Sequence, residues 1–374
     1  LVDLLANDVD PSGGVLVVQS VTVNGTPVTA QLLERRVLRL IDAQGLASEA
    51  TISYTVSNGR FTETGQVVII PVAPPDQPTP PTAVADTATV RAGDVVTIPV
   101  LENDFSPDNL ELTVSDALVE TSFANGGDGC DVTGEDAEGC AFVDGDAVRL
   151  FVPVGGPSSV QLVYEVGVEN GGVATATIDV TVIARDAGND PPIAQTVESR
   201  VVAGNLVSIP IPLDGIDPDG DGVELVGYDE APEEGRIVET GDGFFVYEAY
   251  EGTSGTVSFT YRVRDRNGLE ATGAVRIGIA PPPELNQAPF AETDEVLVQP
   301  GRAIAVPVLA NDFDPDGDPL TLSTELEGVS EELEPVTIDE DRSTVDFTSP
   351  SEPGEYELRY EVGGSTDRAE WFAL

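Results

Sequence analysis

Four aspartates stand at alternate positions in the segment "LANDFDPDGDPLTL", and they are Asp312, Asp314, Asp316 and Asp318. Carboxylates this close repel one another unless water, a basic side chain or a cation lies between them. Calcium takes about six to eight oxygen ligands, and alternate aspartates in a glycine-containing turn can supply several of them. The spacing therefore favours a calcium site. The alternative is a hydrophilic turn, in which proline and glycine set the geometry and aspartates cap backbone amides.

The aspartate-rich segment also occurs earlier in the chain. "DPDGD" at 217–221 repeats the alternation with Asp217, Asp219 and Asp221. Two further copies, "LLANDVDPSGG" and "VLENDFSPDN", keep the Asn-Asp pair but lose most of the later aspartates. We therefore predict calcium at the third and fourth copies. We also expect calcium to stiffen the C-terminal half of the chain more than the N-terminal half.

The four segments and four later tyrosines follow one period. The prolines of the segments are 96, 111 and 97 residues apart, and a tyrosine follows each proline by 43, 57, 43 and 45 residues. These anchors are Pro11, Pro107, Pro218 and Pro315, followed by Tyr54, Tyr164, Tyr261 and Tyr360. A period this long indicates an array of small domains rather than one large core. The second unit carries an insertion.

Each unit has the pattern of an all-β domain. Short runs rich in Val, Ile and Thr alternate apolar and polar residues, which predicts half-buried antiparallel strands. Asn-Gly pairs follow three of the tyrosines, and they predict hairpin turns because such pairs accept positive φ at both turn positions. About seven strands with a tyrosine near a late strand describe an immunoglobulin-like sandwich. The tyrosine should pack in the core with its hydroxyl bonded to the backbone.

Proline-rich stretches separate the units and should act as semi-rigid spacers. We predict a linear array of four Ig-like antiparallel β-sandwiches, over residues 1–73, 83–184, 193–280 and 288–374. The first unit lacks an opening strand and the last has an incomplete C-terminal strand. We therefore expect the chain to be a segment of a longer array.

The composition excludes several classes of function. The net charge is −50, all 17 basic residues are arginine, and there is no histidine. So negative a surface repels nucleic acid and anionic lipid, and we expect neither nucleic-acid binding nor membrane contact by this segment. Without histidine and lysine, Ser–His and Cys–His nucleophilic catalysis and Schiff-base chemistry are impossible. We predict that this segment is not an enzyme.

The two cysteines lie inside the insertion of the second unit, in "GCDVTGEDAEGC". The spacing of Cys130 and Cys140 suits a disulfide that staples a long hairpin loop, worth about 3 kcal/mol in the chain-entropy model. The alternative is a metal-binding pair, but two cysteines without histidine make a poor zinc site. A disulfide implies an oxidising compartment, and hence export.

The segment "VLANDFDPDGDPLTL", followed later by "YEV", resembles bacterial tandem repeats of about 95 residues. These are the cadherin-like or bacterial Ig-like modules of exported surface proteins and adhesins. The resemblance covers essentially the whole chain, with the fourth unit matching best. It implies an extracellular stalk or adhesive function, often stiffened by calcium. The implied partners are the neighbouring repeats and a host-cell, cell-wall or matrix ligand.

Two classes of function remain open. The chain is either a non-catalytic stalk or adhesin segment that spaces or presents a distal domain, or an accessory carbohydrate- or substrate-binding region of a larger secreted enzyme. Sugar sites usually present exposed aromatic side chains, and Trp371 is the only tryptophan. We interpret the aromatic residues of "GFFVYEAY" as strand packing; they are Phe244, Phe245, Tyr247 and Tyr250. This pattern favours the stalk.

Overall fold

The computed structural model is all-β, as the sequence predicts. It describes the chain except residues 24–27, 42–45, 73–76, 122, 126–137, 284–288, 290, 292, 295, 313, 315–318, 331–332, 334, 340–342, 353, 355, 364–368 and 374. Within the described residues there are 27 strands and no α-helix. The strands form eight sheets, two for each of four successive repeats.

The first repeat consists of two three-stranded sheets. Its strands are β1 (Val2–Asp3), β2 (Val17–Val23), β3 (Thr29–Leu33), β4 (Val37–Ile41), β5 (Ala50–Ser57) and β6 (Thr62–Ile69). The strand orders are β1-β4-β3 and β2-β5-β6, and all pairs are antiparallel.

The second repeat has two four-stranded sheets. Its strands are β7 (Asp86–Arg91), β8 (Val95–Ile98), β9 (Leu112–Val114), β10 (Ala124–Asn125), β11 (Cys140–Asp144), β12 (Ala147–Phe151), β13 (Ser159–Val168) and β14 (Val173–Ile183). The strand orders are β10-β11-β12-β8 and β7-β14-β13-β9. The opening strand β7 runs parallel to the last strand β14, so the chain enters and leaves the repeat at opposite ends.

The third repeat keeps this plan. Its strands are β15 (Thr196–Val202), β16 (Leu206–Pro210), β17 (Val223–Tyr228), β18 (Gly235–Gly241), β19 (Phe244–Ala249), β20 (Gly255–Asp265) and β21 (Glu270–Ala280). The strand orders are β16-β19-β18 and β15-β21-β20-β17, with β15 parallel to β21.

The fourth repeat has two three-stranded sheets. Its strands are β22 (Ala303–Val306), β23 (Thr321–Leu322), β24 (Thr337–Ile338), β25 (Val345–Thr348), β26 (Arg359–Gly363) and β27 (Ala369–Ala373). The strand orders are β22-β25-β24 and β23-β26-β27.

Each repeat has its own hydrophobic core, which lies between its two sheets. Strands such as β13 and β20 alternate buried and exposed residues, because successive side chains of a strand point to opposite faces. The four periodic tyrosines are buried in these cores. Each hydroxyl lies within hydrogen-bond distance of backbone carbonyl oxygens: Leu4 O for Tyr54 (3.3 Å), Val84 O (3.1 Å) and Val100 O (3.3 Å) for Tyr164, Gln195 O for Tyr261 (2.7 Å) and Val308 O for Tyr360 (3.3 Å). The predicted core role of the tyrosines is confirmed.

The Asn-Gly pairs lie in hairpin connections, but only one residue of each pair has a positive φ. This residue is Gly59 (φ 87°) in the first repeat, Asn170 (φ 54°) in the second and Gly268 (φ 98°) in the third. The hairpin prediction is confirmed, and only one residue of each pair is left-handed because the strands are joined by four residues. Two-residue connections of the mirror-image type are the ones that require positive φ at both positions.

Contacts between repeats follow the linear order for repeats 2 and 3, which meet end to end. The first repeat departs from that order and lies against the third. Val15 N donates to Thr256 Oγ1 (2.9 Å), and Arg200 Nε donates to Leu16 O (2.8 Å). Val17 is fully buried although it lies outside the core cluster of its own repeat. Burial of this apolar side chain is the physical reason for the contact.

Candidate metal centre

The acidic turn of the third repeat joins β16 to β17. Its first aspartate organises the backbone: Asp217 Oδ1 accepts hydrogen bonds from the amides of Asp219 (2.9 Å) and Asp221 (3.1 Å). Gly220 has a positive φ of 71°. Aspartates therefore cap backbone amides here, as the alternative interpretation of the segment predicts.

The three aspartates also converge. One carboxylate oxygen from each of Asp217, Asp219 and Asp221 lies within 4.8 Å of the others. Asp217 is only 5% exposed, and its Oδ2 atom is buried without a hydrogen-bond partner among the described residues. Burial raises the pKa of Asp217, and the nearby carboxylates of Asp221 and Asp219 add to that rise. A buried acceptor with unmet bonding capacity, beside two more carboxylates, fits a hard cation such as calcium.

A guanidinium from the second repeat enters the same cluster. Arg91, the last residue of β7, places its Nε atom 2.7 Å from Asp221 Oδ1 and its Nη2 atom 3.3 Å from Asp219 Oδ2. The Arg91 side chain is 4% exposed. The same guanidinium donates to Ala184 O (3.1 Å) and Gly188 O (3.0 Å), in the segment that leads from β14 to the third repeat. A basic partner therefore separates the carboxylates in this copy of the segment.

The linker between the repeats completes one side of the cluster. Asp190 N donates to Asp219 Oδ2 (2.6 Å), and Asn189 Nδ2 donates to Asp265 Oδ2 (2.8 Å). Asn267 Nδ2 donates to Asp221 Oδ2 (3.1 Å) from the hairpin between β20 and β21. These amides hold the carboxylates in place, so the linker and both repeats share one polar network.

A second ion pair crosses the joint beside this network. Arg266 of the third repeat pairs with Asp94, which lies in the turn between β7 and β8 of the second repeat. Asp94 is buried, and its Oδ2 atom also lies 3.5 Å from Gly222 N. Each of the two repeats therefore contributes one arginine that pairs with an aspartate of the other repeat.

The turn and the second repeat are in direct backbone contact. Arg91 N donates to Gly220 O across the joint (2.9 Å). A Cβ atom built on Gly220 would lie 2.4 Å from Val90 Cα. Glycine is therefore required here both for the positive φ and for the close approach of a neighbouring repeat.

Sequence reasoning identified the aspartates but missed the basic side of the site. Arg91 and Asp94 were not predicted as site residues, and neither was Asn267. One signal was available. Arginine is scarce in this chain, yet "VRAGD" places one at the end of an opening strand, where the corresponding segment of the third repeat reads "VVAGN".

The predicted ligands in the fourth repeat are only partly described. Asp312 and Asp314 are both buried. Asp316 and Asp318 lie outside the described residues. Calcium binding by this copy therefore stays a prediction.

In the first two repeats, the aspartate of the recurring Asn-Asp pair lies beside the core tyrosine and not beside an arginine of the described chain. Tyr54 Oη donates to Asp8 Oδ2 (3.1 Å), and Tyr164 Oη lies 2.9 Å from Asp104 Oδ2. The second residue of each pair is therefore an acceptor for the core tyrosine. Sequence reasoning missed this role because the two partners are far apart in the chain.

The cysteine pair cannot be placed as a whole. Cys140 is buried at the start of β11, and Cys130 lies outside the described residues. The disulfide between them stays a prediction.

Two of the four aromatic residues of "GFFVYEAY" pack in the core of the third repeat as predicted. Phe245 and Tyr247 are fully buried on β19, and Phe245 makes edge-to-face contacts with Tyr228 and Phe259. The prediction of strand packing is wrong for Tyr250, which is 46% exposed and follows the end of the strand. Edge-to-face packing adds about 0.5–1.5 kcal/mol per pair to the burial of the rings. This use of the rings is structural.

In the described part of the chain, no helix is long and apolar enough to cross a membrane.

Comparisons with solved structures find cadherin ectodomains. Human desmocollin-1 is 13% identical, covering 98% of this chain and 72% of that chain, with a TM-score of 0.20. Drosophila N-cadherin EC1-4 is 11% identical, covering 98% and 93%, with a TM-score of 0.23. A nucleoside hydrolase-related hypothetical protein from Saccharophagus degradans is 20% identical over 25% of this chain and 27% of that chain, with a TM-score of 0.22.

No curated protein sequence matches the chain. A family model described as bacterial Ig domain matches three successive segments, residues 78–181, 189–278 and 286–369. These segments make up most of the chain and follow the period of the proline and tyrosine anchors. The chain therefore belongs to the bacterial Ig domain family and carries the domain in tandem.

Proposed function

We propose that this chain is a non-catalytic, extracellular stalk or adhesin segment that spaces or presents a distal domain. The observation that carries the proposal is the joint between repeats 2 and 3. Its buried ion pairs and backbone hydrogen bonds hold two tandem bacterial Ig domains end to end. A fixed joint between small rigid domains transmits position over a distance, which is what a stalk requires.

Calcium stiffening is the second part of the proposal. Asp217, Asp219 and Asp221 would hold the ion in the third repeat, and the equivalent segment around Asp312 and Asp314 would hold it in the fourth. The Oδ2 atom of Asp217 supports this assignment, because it is buried and has no hydrogen-bond partner among the described residues. A bound cation would supply positive charge and oxygen coordination, and it would offset part of the self-repulsion of a chain with a net charge of −50.

An extracellular location is the third part of the proposal, and it rests on the two cysteines. A disulfide between Cys130 and Cys140 would require an oxidising compartment. The partners are the neighbouring repeats and a host-cell, cell-wall or matrix ligand.

Antibody labelling tests the extracellular location. Antibodies raised against the chain should label intact cells of the source organism. Labelling only after the cells are permeabilised would contradict an extracellular location.

Calorimetry and small-angle scattering of the whole chain test the calcium part. The conditions are chelator, calcium, and magnesium at equal ionic strength. Calcium that binds only the folded state should stabilise it by about 2.7 kcal/mol at a hundredfold excess over the dissociation constant. Magnesium should do less because it demands a stricter octahedral geometry. Equal effects of the two cations would mean that the aspartates form only a solvated turn.

A matched pair of variants locates the site. Asp217→Asn removes one charge from the buried carboxylate, and Asp214→Asn removes one charge from an exposed position of the same loop. We expect Asp217→Asn to weaken calcium binding at least about tenfold in calorimetric titration, because a coordinating carboxylate is lost. Asp214→Asn should bind like the unmodified chain. Equal binding by both variants would remove Asp217 from the site.

A further inference from the structure

We propose that Arg91 is a resident cation of the joint between repeats 2 and 3, which keeps this joint closed without calcium. At the corresponding position of the third repeat the sequence has Val202, so we expect the next joint to depend on a divalent ion instead. This inference deepens the proposed stalk function and rests on it, since it assigns different cation requirements to two joints of one chain. The proposal rests on the contacts of the Arg91 side chain.

The Arg91 guanidinium is surrounded by carboxylate, carbonyl and amide oxygens, which are also the oxygen types that bind calcium. Five oxygen atoms lie within 3.5 Å of its nitrogens: two carboxylate oxygens from the turn of the third repeat, and three oxygens from the linker. They are Asp221 Oδ1 (2.7 Å), Asp219 Oδ2 (3.3 Å), Ala184 O (3.1 Å), Gly188 O (3.0 Å) and Asn189 Oδ1 (3.5 Å). A guanidinium has five N–H donors in a fixed plane, so it can satisfy a shell of this kind.

The position of Arg91 makes it a cross-link between three parts of the chain. It belongs to the second repeat, while its acceptors belong to the linker and to the third repeat. Its positive charge is part of the chain itself. Because Arg91 belongs to the chain, its presence at the joint does not depend on the medium, whereas the occupancy of a calcium site depends on the calcium concentration. Removing one partner of a buried ion pair leaves the other charges uncompensated, which is strongly unfavourable.

The same contacts predict competition with calcium. Arg91 already binds Asp219 and Asp221, which are two of the three proposed calcium ligands. A divalent ion at those oxygens would lie within a few ångströms of the guanidinium and would be repelled by it. Arg91 should therefore weaken calcium binding at this joint, and its removal should strengthen it.

The corresponding position of the third repeat is apolar. "VRAGDVVTIP" at 90–99 aligns without a gap with "VVAGNLVSIP" at 201–210, so Val202 replaces Arg91 and Asn205 replaces Asp94. The strand registers agree: Arg91 pairs with the last residue of β14, and Val202 with the last residue of β21. Each segment precedes a repeat with its own "DPDGD" turn. The third repeat therefore has no guanidinium to offer at this position.

Hydrogen exchange of the whole chain, followed by mass spectrometry in chelator, tests the resident cation. Arg91→Gln should speed exchange of the amides of Asp190 and Arg91 roughly 100-fold, as expected when one partner of a buried pair is lost. Arg91→Lys keeps the charge but not the planar fork, so it should fall between Gln and the unmodified chain. The control Arg149→Gln removes an exposed arginine from the same repeat and should leave both amides unchanged.

Exchange in the core strands β13 and β20 reports whether each variant is folded. If Arg91→Gln unfolds the second repeat, Arg91→Lys becomes the deciding variant. Unchanged exchange at the joint in a folded Arg91→Gln or Arg91→Lys chain would overturn the proposal. An equal increase in Arg149→Gln would also overturn it, because the effect would then be one of net charge.

Calcium titration separates this inference from the proposed function. Calcium should bind Arg91→Gln at least about tenfold more tightly at this joint and restore slow exchange there, because a repelling charge is gone. If the unmodified chain binds no calcium but Arg91→Gln opens the joint, calcium stiffening fails and the resident cation stands. If calcium stiffens the unmodified chain and Arg91→Gln leaves the joint closed, the resident cation fails and the proposed function stands.

Discussion

Replacing Gly220 by alanine should open the joint between repeats 2 and 3, and replacing Gly215 should not. Both glycines lie in the loop between β16 and β17, and both are left-handed, with φ values of 71° and 68°. A Cβ atom on Gly220 would lie 2.4 Å from Val90 Cα and 2.6 Å from the carbonyl carbon of Thr89. A Cβ atom on Gly215 would meet no heavy atom of the described chain within 4 Å.

The two substitutions share one energetic cost and differ in another. Each places a side chain on a left-handed residue, at about 1–2 kcal/mol. Only Gly220→Ala also places its Cβ atom against the backbone of the second repeat. For this Cβ atom to lie at an ordinary 3.4 Å from Val90 Cα, the turn and β7 must separate by about 1 Å. That shift would break the hydrogen bond from Arg91 N to Gly220 O, worth about 1 kcal/mol, and lengthen the 2.7 Å contact between Arg91 and Asp221.

Removing one partner of a buried ion pair costs about 3–5 kcal/mol, and lengthening the pair costs less than removing it. The joint should therefore lose about 1 kcal/mol or more in Gly220→Ala beyond the loss in Gly215→Ala, from the broken hydrogen bond and the weakened ion pair. Hydrogen exchange at the Asp190 and Arg91 amides measures this difference, and small-angle scattering measures the resulting bending of the chain. If the two variants exchange equally at these amides, the approach of Val90 to Gly220 does not hold the repeats together, and the reasoning is refuted.

Three further predictions concern single repeats. Tyr164→Phe should destabilise the second repeat by about 1–3 kcal/mol in denaturant unfolding, because the single O–H donor within reach of Asp104 and two backbone carbonyl oxygens is lost; an unchanged midpoint would contradict this role. Burial raises the pKa of Asp86 above its ordinary 3.8, so the folded state binds the proton more tightly than the unfolded chain does. The charged carboxylate therefore destabilises the repeat. This destabilisation is absent below pH 3.8 and grows as the pH rises from there through the raised pKa. Asp86→Asn should therefore stabilise the repeat at pH 7 and lose this advantage towards pH 3, and a pH-independent difference would refute the assignment. Unreduced protein from its native compartment should show one peptide linked through Cys130 and Cys140 and a mass deficit of about two daltons, whereas two free thiols would contradict export.

The sequence alone determined the architecture, because its signals are local. Alternating residues identify strands such as β13 and β20, since side chains alternate between the faces of a strand whatever the rest of the chain does. The recurrence of Tyr164 and Tyr261 reveals the period, because each repeat must fill its own core. The family and the all-β class could therefore be predicted without coordinates.

Turn geometry was predictable only in part. The pair Asn58-Gly59 marks a hairpin correctly, but the length of the connection decides which residue becomes left-handed. The acidic segments are similar in sequence, and yet Asp104 accepts a hydrogen bond from a core tyrosine while Asp221 binds an arginine. Which partner an aspartate meets depends on atoms that are distant in the chain.

Only the tertiary structure decided how the acidic turn of the third repeat is held. Arg91 and Asp221 are 130 residues apart, and no spacing rule connects them. Gly220 reads as an ordinary turn glycine in the sequence, but the backbone of another repeat occupies the space where its side chain would be. Local patterns encode the domains, because strands and turns depend on near neighbours. The joint depends on how two finished surfaces meet, and that information exists only after both have folded.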